Sequence, residues 1–195
     1  MKFIILLISL IIVGTACNND IETIKVKRDG VLTFYVQGYS KPWRSTSFMF
    51  YPGQSVVKEF IVDSMDISIL FRRYYLVFGG VTSDNRNFEL TVTLDIAEQS
   101  DMIHNYTTLY NRRKGGLNDI SLIITDKGST NKYTMAELCP DKSNEAYFDI
   151  ERQNTVEELI AGSMGADLCL SLTPDSVLHI YNAQFKDIQY TLPDE

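Results

Sequence analysis

Two histidines, three cysteines and 25 acidic residues are the reactive side chains of this 195-residue chain. Nucleophilic catalysis needs a base beside the nucleophile, and histidine is the usual one. His104 and His179 have no glycine-elbow serine nearby, so each reads as a solvent-facing or capped ring. Paired carboxylates perform glycoside chemistry, but among 25 acids no particular pair stands out. Asp84-Asn85-Arg86-Asn87 offers oxygens that suit calcium, although the same residues make an ordinary turn. There is no glycine-rich phosphate loop, EF-hand loop or His-Glu-x-x-His pattern, and the cysteines and histidines lack zinc spacing. The sequence therefore assigns no catalytic residue, metal or cofactor and reads as non-enzymatic.

Aromatic residues carry the stronger binding signal. Tyr39, Trp43, Tyr74, Tyr75 and Phe78 fall in or beside expected loops of the N-terminal half, with Arg44, Arg72 and Arg73 close by. Tyrosine and tryptophan at loop tips give rigid contact area with one polar handle, suited to a sugar ring or a protein partner. Tyr39, Trp43, Arg44, Tyr74 and Tyr75 are the candidate ligand-binding residues, and the loop around Trp43 is the expected centre. The alternative is that most of these rings fill the core.

The address lies at the N-terminus. Met1-Lys2 is a basic start, Phe3 to Val13 is apolar but for Ser9, and Gly14-Thr15-Ala16 are small. Together they form a secretory signal over residues 1–16, too short for a spanning helix of about 18 or more apolar residues. Thr15-Ala16-Cys17 resembles the lipobox of bacterial lipoproteins, with Gly14 standing where that family usually has an aliphatic residue. The resemblance implies cleavage before Cys17, lipidation of its sulfur and a tether over residues 17–23. Two or three acyl chains hold a protein to a membrane at about 0.8 kcal/mol per buried methylene. The relaxed lipobox followed by Asn18-Asn19-Asp20 resembles lipoproteins of the Bacteroidetes, which implies the cell envelope and the outer membrane. Asp63-Ser64-Met65 and Asp175-Ser176-Val177 resemble the O-glycan acceptor tripeptides of that group. With Cys17 lipidated, Cys139 and Cys169 remain as an even pair for one disulfide in an oxidising compartment; two buried free thiols are the other reading.

The charge is −7, from 18 basic and 25 acidic residues. A phosphate backbone calls for a positive footprint, so no nucleic-acid partner is expected.

The elements that must position these residues are strands. Ile24 to Lys27 alternates, and Arg28-Asp29-Gly30 reads as a hairpin turn with Gly30 at positive φ, leading into Leu32, Phe34 and Val36. Ser47–Tyr51 and Val56–Val62 read as strands flanking a Pro52-Gly53 turn, followed by Ile67–Phe71 and Tyr74–Phe78. Asn87 to Ala97 is the clearest strand, with Phe88, Leu90, Val92, Leu94 and Ile96 facing a core and Glu89, Thr91, Thr93 and Asp95 facing water. Residues 98–110 are ambiguous between helix and strand. Thr155-Val156-Glu157-Glu158 has the form of a capping box and predicts a short helix to Ala161, ended by Gly162 and Gly165. Further strands follow at Ile120–Thr125, Tyr147–Ile150, Leu168–Leu172, Val177–Tyr181 and Phe185–Thr191.

Many short strands without a strand–helix rhythm predict a mainly β protein: an antiparallel β-sandwich or barrel-like fold with one or two short helices. Residues 24–195 are expected to form one domain, the alternative being two small sandwiches split near 111–118. Three functions fit: a lipid-anchored binding or accessory module for a glycan or protein, an envelope immunity or inhibitor protein whose acidic surface meets a basic partner, and a hydrolase with an unrecognised carboxylate site.

Overall fold

A computed structural model describes residues 30–97, 101–135, 146–170 and 173–190, with only the backbone described at 173–176. The expected signal segment, Cys17, the tether, the Ile24–Lys27 strand and Cys139 lie outside the described residues.

Ten strands form among the described residues: β1 (Val31–Val36), β2 (Trp43–Val62), β3 (Met65–Val81), β4 (Asn87–Ala97), β5 (His104–Thr107), β6 (Gly115–Asp126), β7 (Ser129–Met135), β8 (Tyr147–Asn154), β9 (Leu159–Leu170) and β10 (Thr173–Gln189). Every pairing is antiparallel, and β10-β1-β2-β3-β4-β6-β7-β9 returns to β10, closing a barrel-like ring. Closure removes sheet edges that would otherwise template aggregation. One side of β9 is shared: Leu168–Leu170 pairs with β7, and Leu159–Gly165 pairs with β8, which carries β5 on its far side. The β4–β6 ladder runs from Asn87↔Thr125 to Ile96↔Gly115, so one sheet joins the chain on both sides of residues 111–118.

Alternation places the core. Phe88, Leu90, Val92, Leu94 and Ile96 of β4 point inward with Leu76 and Phe78 of β3, Phe34 of β1 and Phe148 of β8, all buried. Rings lock edge to face, Phe34 at 5.6 Å from Trp43 and 5.3 Å from Phe88, while Phe148 stacks on Phe185 at 4.6 Å. Each such side chain contributes roughly 1.5–3 kcal/mol of transfer free energy.

No helix forms among the described residues. Residues 155–158, expected to open a helix, are the turn between β8 and β9. The cap is Asn154 instead of Thr155: its Oδ1 accepts from the amides of Val156 and Glu157 at 3.1 and 3.2 Å. Glu158 then turns left-handed at φ 55°, a conformation that reverses a strand and ends a helix. Gly162, expected to stop that helix, is a mid-strand close approach, because a Cβ there would stand 1.9 Å from the Asp149 carbonyl. The ambiguous stretch resolves in part as the strand β5.

Two further expectations change. Gly30 does not have positive φ; it is a crowded position just before β1, where a Cβ would meet Ile188 and Phe48. Pro52-Gly53 is a bulge inside one long strand, where the register slips between Pro52↔Tyr74 and Ser55↔Arg72. A bulge tolerates proline because the ladder bond is already lost there.

The β2–β3 ladder outruns its neighbours. β4 leaves β3 at Phe71↔Ala97, and β1 pairs with β2 at Thr33↔Arg44 and Phe34↔Trp43. Beyond them Ser55 to Leu70 forms a two-stranded arm, closed by Asp63 and Ser64 at φ 51° and 65°. Two left-handed residues in succession match the twist of a tight hairpin.

Candidate functional site

The candidate site lies on the outer wall of the barrel, where β2, β3, β4 and β6 run side by side. Its origin is parity: in β3 Tyr74 points inward and is buried, so Tyr75 and Arg73 point outward. Cross-strand register then builds two outer rows. Tyr51, Tyr75, Thr93 and Asp119 make one; Arg73, Asp95 and Gly116 make the next.

In the first row the Tyr51 and Tyr75 rings stack at 5.2 Å with planes 26° apart, and Tyr51 is 44% exposed. Gly53 makes room for this pair, since a Cβ there would stand 2.5 Å from the Tyr75 ring. In the second row Asp95 is fully buried and Arg73 grips it two-pronged, Nε to Oδ1 at 2.7 Å and Nη2 to Oδ2 at 3.0 Å. The hydroxyl of Tyr110 donates to the same Oδ2 at 2.7 Å. Arg73 Nη2 also donates to Asn118 Oδ1 at 3.0 Å. Asn118 is the extra residue of a bulge in β6, between Thr93↔Asp119 and Leu94↔Leu117. Bulges of this kind re-aim a side chain next to a site.

Tyr110 covers the network as a lid. Its ring lies on Gly116, where a Cβ would come within 2.7 Å, and meets Phe71 edge-on at 6.1 Å. Lys58 Nζ sits 4.6 Å from the ring centre, a cation–π contact. Gly115, at φ +116°, lets the backbone turn beside Asp95, whose carbonyl would lie 1.8 Å from any Cβ. The hydrogen bond to Asp95 holds the Arg73 guanidinium further toward its charged form, against the opposing effect of burial. Burial first, and the bond to Asp95 second, push the Tyr110 hydroxyl above the ordinary tyrosine range. Asp95 is thus fully engaged by donors, and Tyr110 remains a protonated donor. The network is a frame of mutual hydrogen bonds beside aromatic surface.

Of the residues expected to bind a ligand, Tyr75 alone lies on this wall. Trp43 does not present a loop-tip face: it starts β2, is fully buried, and has no partner for its indole Nε1 among the described residues. Tyr74 is likewise core. Tyr39 packs edge-on against Trp43 at 5.0 Å, and its hydroxyl accepts from Arg86 Nη2 at 2.5 Å. Arg44 is exposed on β2 between Thr33 and Val81, away from Tyr75. The sequence reading missed Tyr51, Arg73, Asp95, Tyr110 and Asn118 as a group. The available signal was the outward parity shared by Arg73, Tyr75, Thr93 and Asp95.

Elsewhere polar side chains serve structure. His179 Nδ1 meets Asp167 Oδ1 at 2.5 Å across the β9–β10 ladder, both partly exposed. Burial lowers the His104 pKa, aided by Lys114 and opposed by Asp149 and Asp101. Asp84 is held below the usual carboxylate range, first by Arg86 at 2.7 Å and then by the Thr82 hydroxyl, so its oxygens are spent on a turn. No cluster of metal-ligating side chains occurs among the described residues. An open cleft of about 620 Å³ lies between the β8–β9 turn and Lys186-Asp187, and a second of about 480 Å³ lies between the turns at Asp84 and Asp126. Cys169 is buried.

Comparison with protein-family models, with curated proteins and with solved structures finds no match to this chain. No helix among the described residues is long and apolar enough to cross a membrane.

Proposed function

We propose that this protein is a lipid-anchored envelope lipoprotein whose β-domain is a non-enzymatic binding module, and that its ligand is a glycan taken up on the outer wall. The observation that carries the reading is the partly exposed Tyr51–Tyr75 stack set one row from the Arg73–Asp95–Tyr110 frame. A sugar ring offers an apolar face and a belt of hydroxyls. Aromatic surface takes the first, and polar groups in fixed geometry take the second. Preorganisation lowers the ordering cost of binding, and this wall is preorganised by the sheet itself.

The anchor rests on Thr15-Ala16-Cys17 after the apolar run. The disulfide of Cys139 with Cys169 belongs to the same reading. Cys169 lies opposite Thr134 in the β7–β9 ladder, so the chain that leaves β7 toward Cys139 starts beside it. The lipid test is fractionation: Cys17→Ser releases the protein from membranes and abolishes labelling by a palmitate analogue, and retained labelling refutes the anchor. The binding test is a panel of soluble neutral and acidic polysaccharides probed with wild type and with a Tyr51→Ala/Tyr75→Ala variant. Binding by wild type that the variant loses supports the reading; equal binding by both refutes the wall as the site.

A further inference from the structure

The Tyr51–Tyr75 stack has a counterpart on the same outer surface. Tyr35 of β1 and Tyr181 of β10 lie directly opposite in their ladder, and their rings stack at 5.8 Å with planes 25° apart. Tyr181 is 43% exposed, against 44% for Tyr51. Both pairs point outward by the same parity, because Phe34 and Val36 of β1, like Tyr74 and Leu76 of β3, face the core. Each stack is flanked, on the side away from the other, by a hydrogen-bonded carboxylate: Asp95 with Arg73 beside the first, Asp167 with His179 beside the second. The stacks end one strip that runs along β2. Six ladder steps lead along β3 from Tyr75 to Val81, which faces Arg44, and two lead along β1 from Thr33, which also faces Arg44, to Tyr35. At about 3.3 Å per residue the separation is roughly 26 Å along the strands. Between the stacks, β2 turns Met49, Ser47 and Arg44 outward, all exposed. Gly79 lies opposite Ser47, so bare backbone floors the middle of the strip.

We propose that the two stacks are the ends of a single binding strip that takes a linear polysaccharide lengthwise, with a sugar ring on each tyrosine pair and Arg44 between them. The inference rests on the reading of the outer wall as a glycan surface and adds a second contact and a length requirement to it. A linear polysaccharide repeats apolar ring faces and hydroxyls along its length. The strip repeats aromatic rings and polar groups along its own. Arg44 presents a fork of N–H donors to the sugar oxygens that pass over it, and Ser47 adds a hydroxyl. Both stacks sit on one sheet, so their spacing is fixed before binding. Engagement at one stack makes engagement at the other intramolecular, and a polymer that reaches both binds far more tightly than a fragment that reaches one. This places Arg44, which lies away from Tyr75, inside the same site.

The test is calorimetric titration of the purified full-length protein, in non-ionic detergent if it carries lipid. The probes are polygalacturonate, chondroitin sulfate, dextran and a soluble β-glucan, then size-graded fragments of whichever polymer binds most tightly. Wild type should bind fragments long enough to span both stacks about tenfold or more tightly than short ones, with no further gain beyond that length. Tyr181→Ala should remove the gain and leave the short-fragment affinity at the Tyr51–Tyr75 stack, with the unfolding midpoint close to wild type. Arg44 is exposed, so Arg44→Ala spares the fold; it should weaken long fragments several-fold and leave short ones unchanged. Wild-type affinity that does not depend on length, or a length gain that survives both substitutions, overturns the two-stack strip and leaves Tyr51–Tyr75 as a site by itself. Binding that Tyr181→Ala abolishes and Tyr51→Ala/Tyr75→Ala leaves intact overturns both the strip and the wall on which it rests. Wild type that binds none of the four polymers does the same.

Discussion

Tyr74 and Tyr75 are neighbours in sequence and belong to different worlds. Tyr74 is buried inside the barrel, 5.4 Å from the Phe50 ring, and works as hydrophobic volume. Tyr75 lies outside, stacked on Tyr51 and one row from a charged frame. Composition and local pattern are the same for both; the pleat alone decides. Aromatic residues inside this protein hold the ring of strands closed, and those outside provide a surface that folding does not need. That difference can be broken or sharpened by substitution.

The largest effect belongs to the interior. Trp43→Ala removes a fully buried ring that touches Phe34, Tyr39 and Phe88. It should destabilise by about 3–5 kcal/mol in urea unfolding, with ligand binding per folded molecule unchanged. A cost near zero would place Trp43 on the surface and void the comparison.

Next comes the frame. Arg73→Ala strands the buried Asp95 with Tyr110 as its remaining side-chain donor, and should cost about 3 kcal/mol. Replacing both partners by leucine should recover most of that loss, because the uncompensated charge goes with them. A double variant as damaged as the single one would show that the pair has a role beyond charge compensation.

The outer stack should matter least to stability. Tyr51→Ala and Tyr75→Ala remove one ring each from a partly exposed pair, at about 0.5–1.5 kcal/mol beyond lost area. Thermal unfolding checks this, and a loss as large as that of Trp43→Ala would make the wall structural.

The smallest effect is a pH slope. Burial lowers the folded-state pKa of His104 below its ordinary 6.5, so the folded protein binds fewer protons than the unfolded chain. Stability should therefore decline as pH falls through about 6.5 and level off below the folded pKa. His104→Gln should flatten that part of the curve, and an NMR titration should give a ring midpoint below 6.5. A midpoint above 6.5 would contradict the burial of this ring.

Much of the fold was legible because alternation survives in the strands. Asn87–Ala97 was read residue for residue, with the same inward row. The reading failed where a side chain's partner is distant in sequence. Asp95 alternates with apolar neighbours and so looked wet, yet Arg73, Tyr110 and Asn118 cover it from three other segments. Proline and glycine at 52–53 signal a break, and local chemistry cannot tell a turn from a bulge in a strand that continues. Thr155-Val156-Glu157-Glu158 misled in a similar way: it has the form of a capping box, but the Asn154 side chain before it caps a hairpin turn with the bonds that would start a helix. Trp43 was expected in a loop, but the strand begins at the tryptophan itself.

The central claim is that the outer tyrosine wall binds and the interior does not. Its most direct test is calorimetric titration of the polysaccharide that wild type binds best into wild type, Tyr75→Ala and Trp43→Phe. The account predicts affinity reduced about tenfold or more for Tyr75→Ala, with its unfolding midpoint close to wild type, and unchanged affinity for Trp43→Phe. Full affinity in Tyr75→Ala, or loss of affinity in a folded Trp43→Phe, would contradict it.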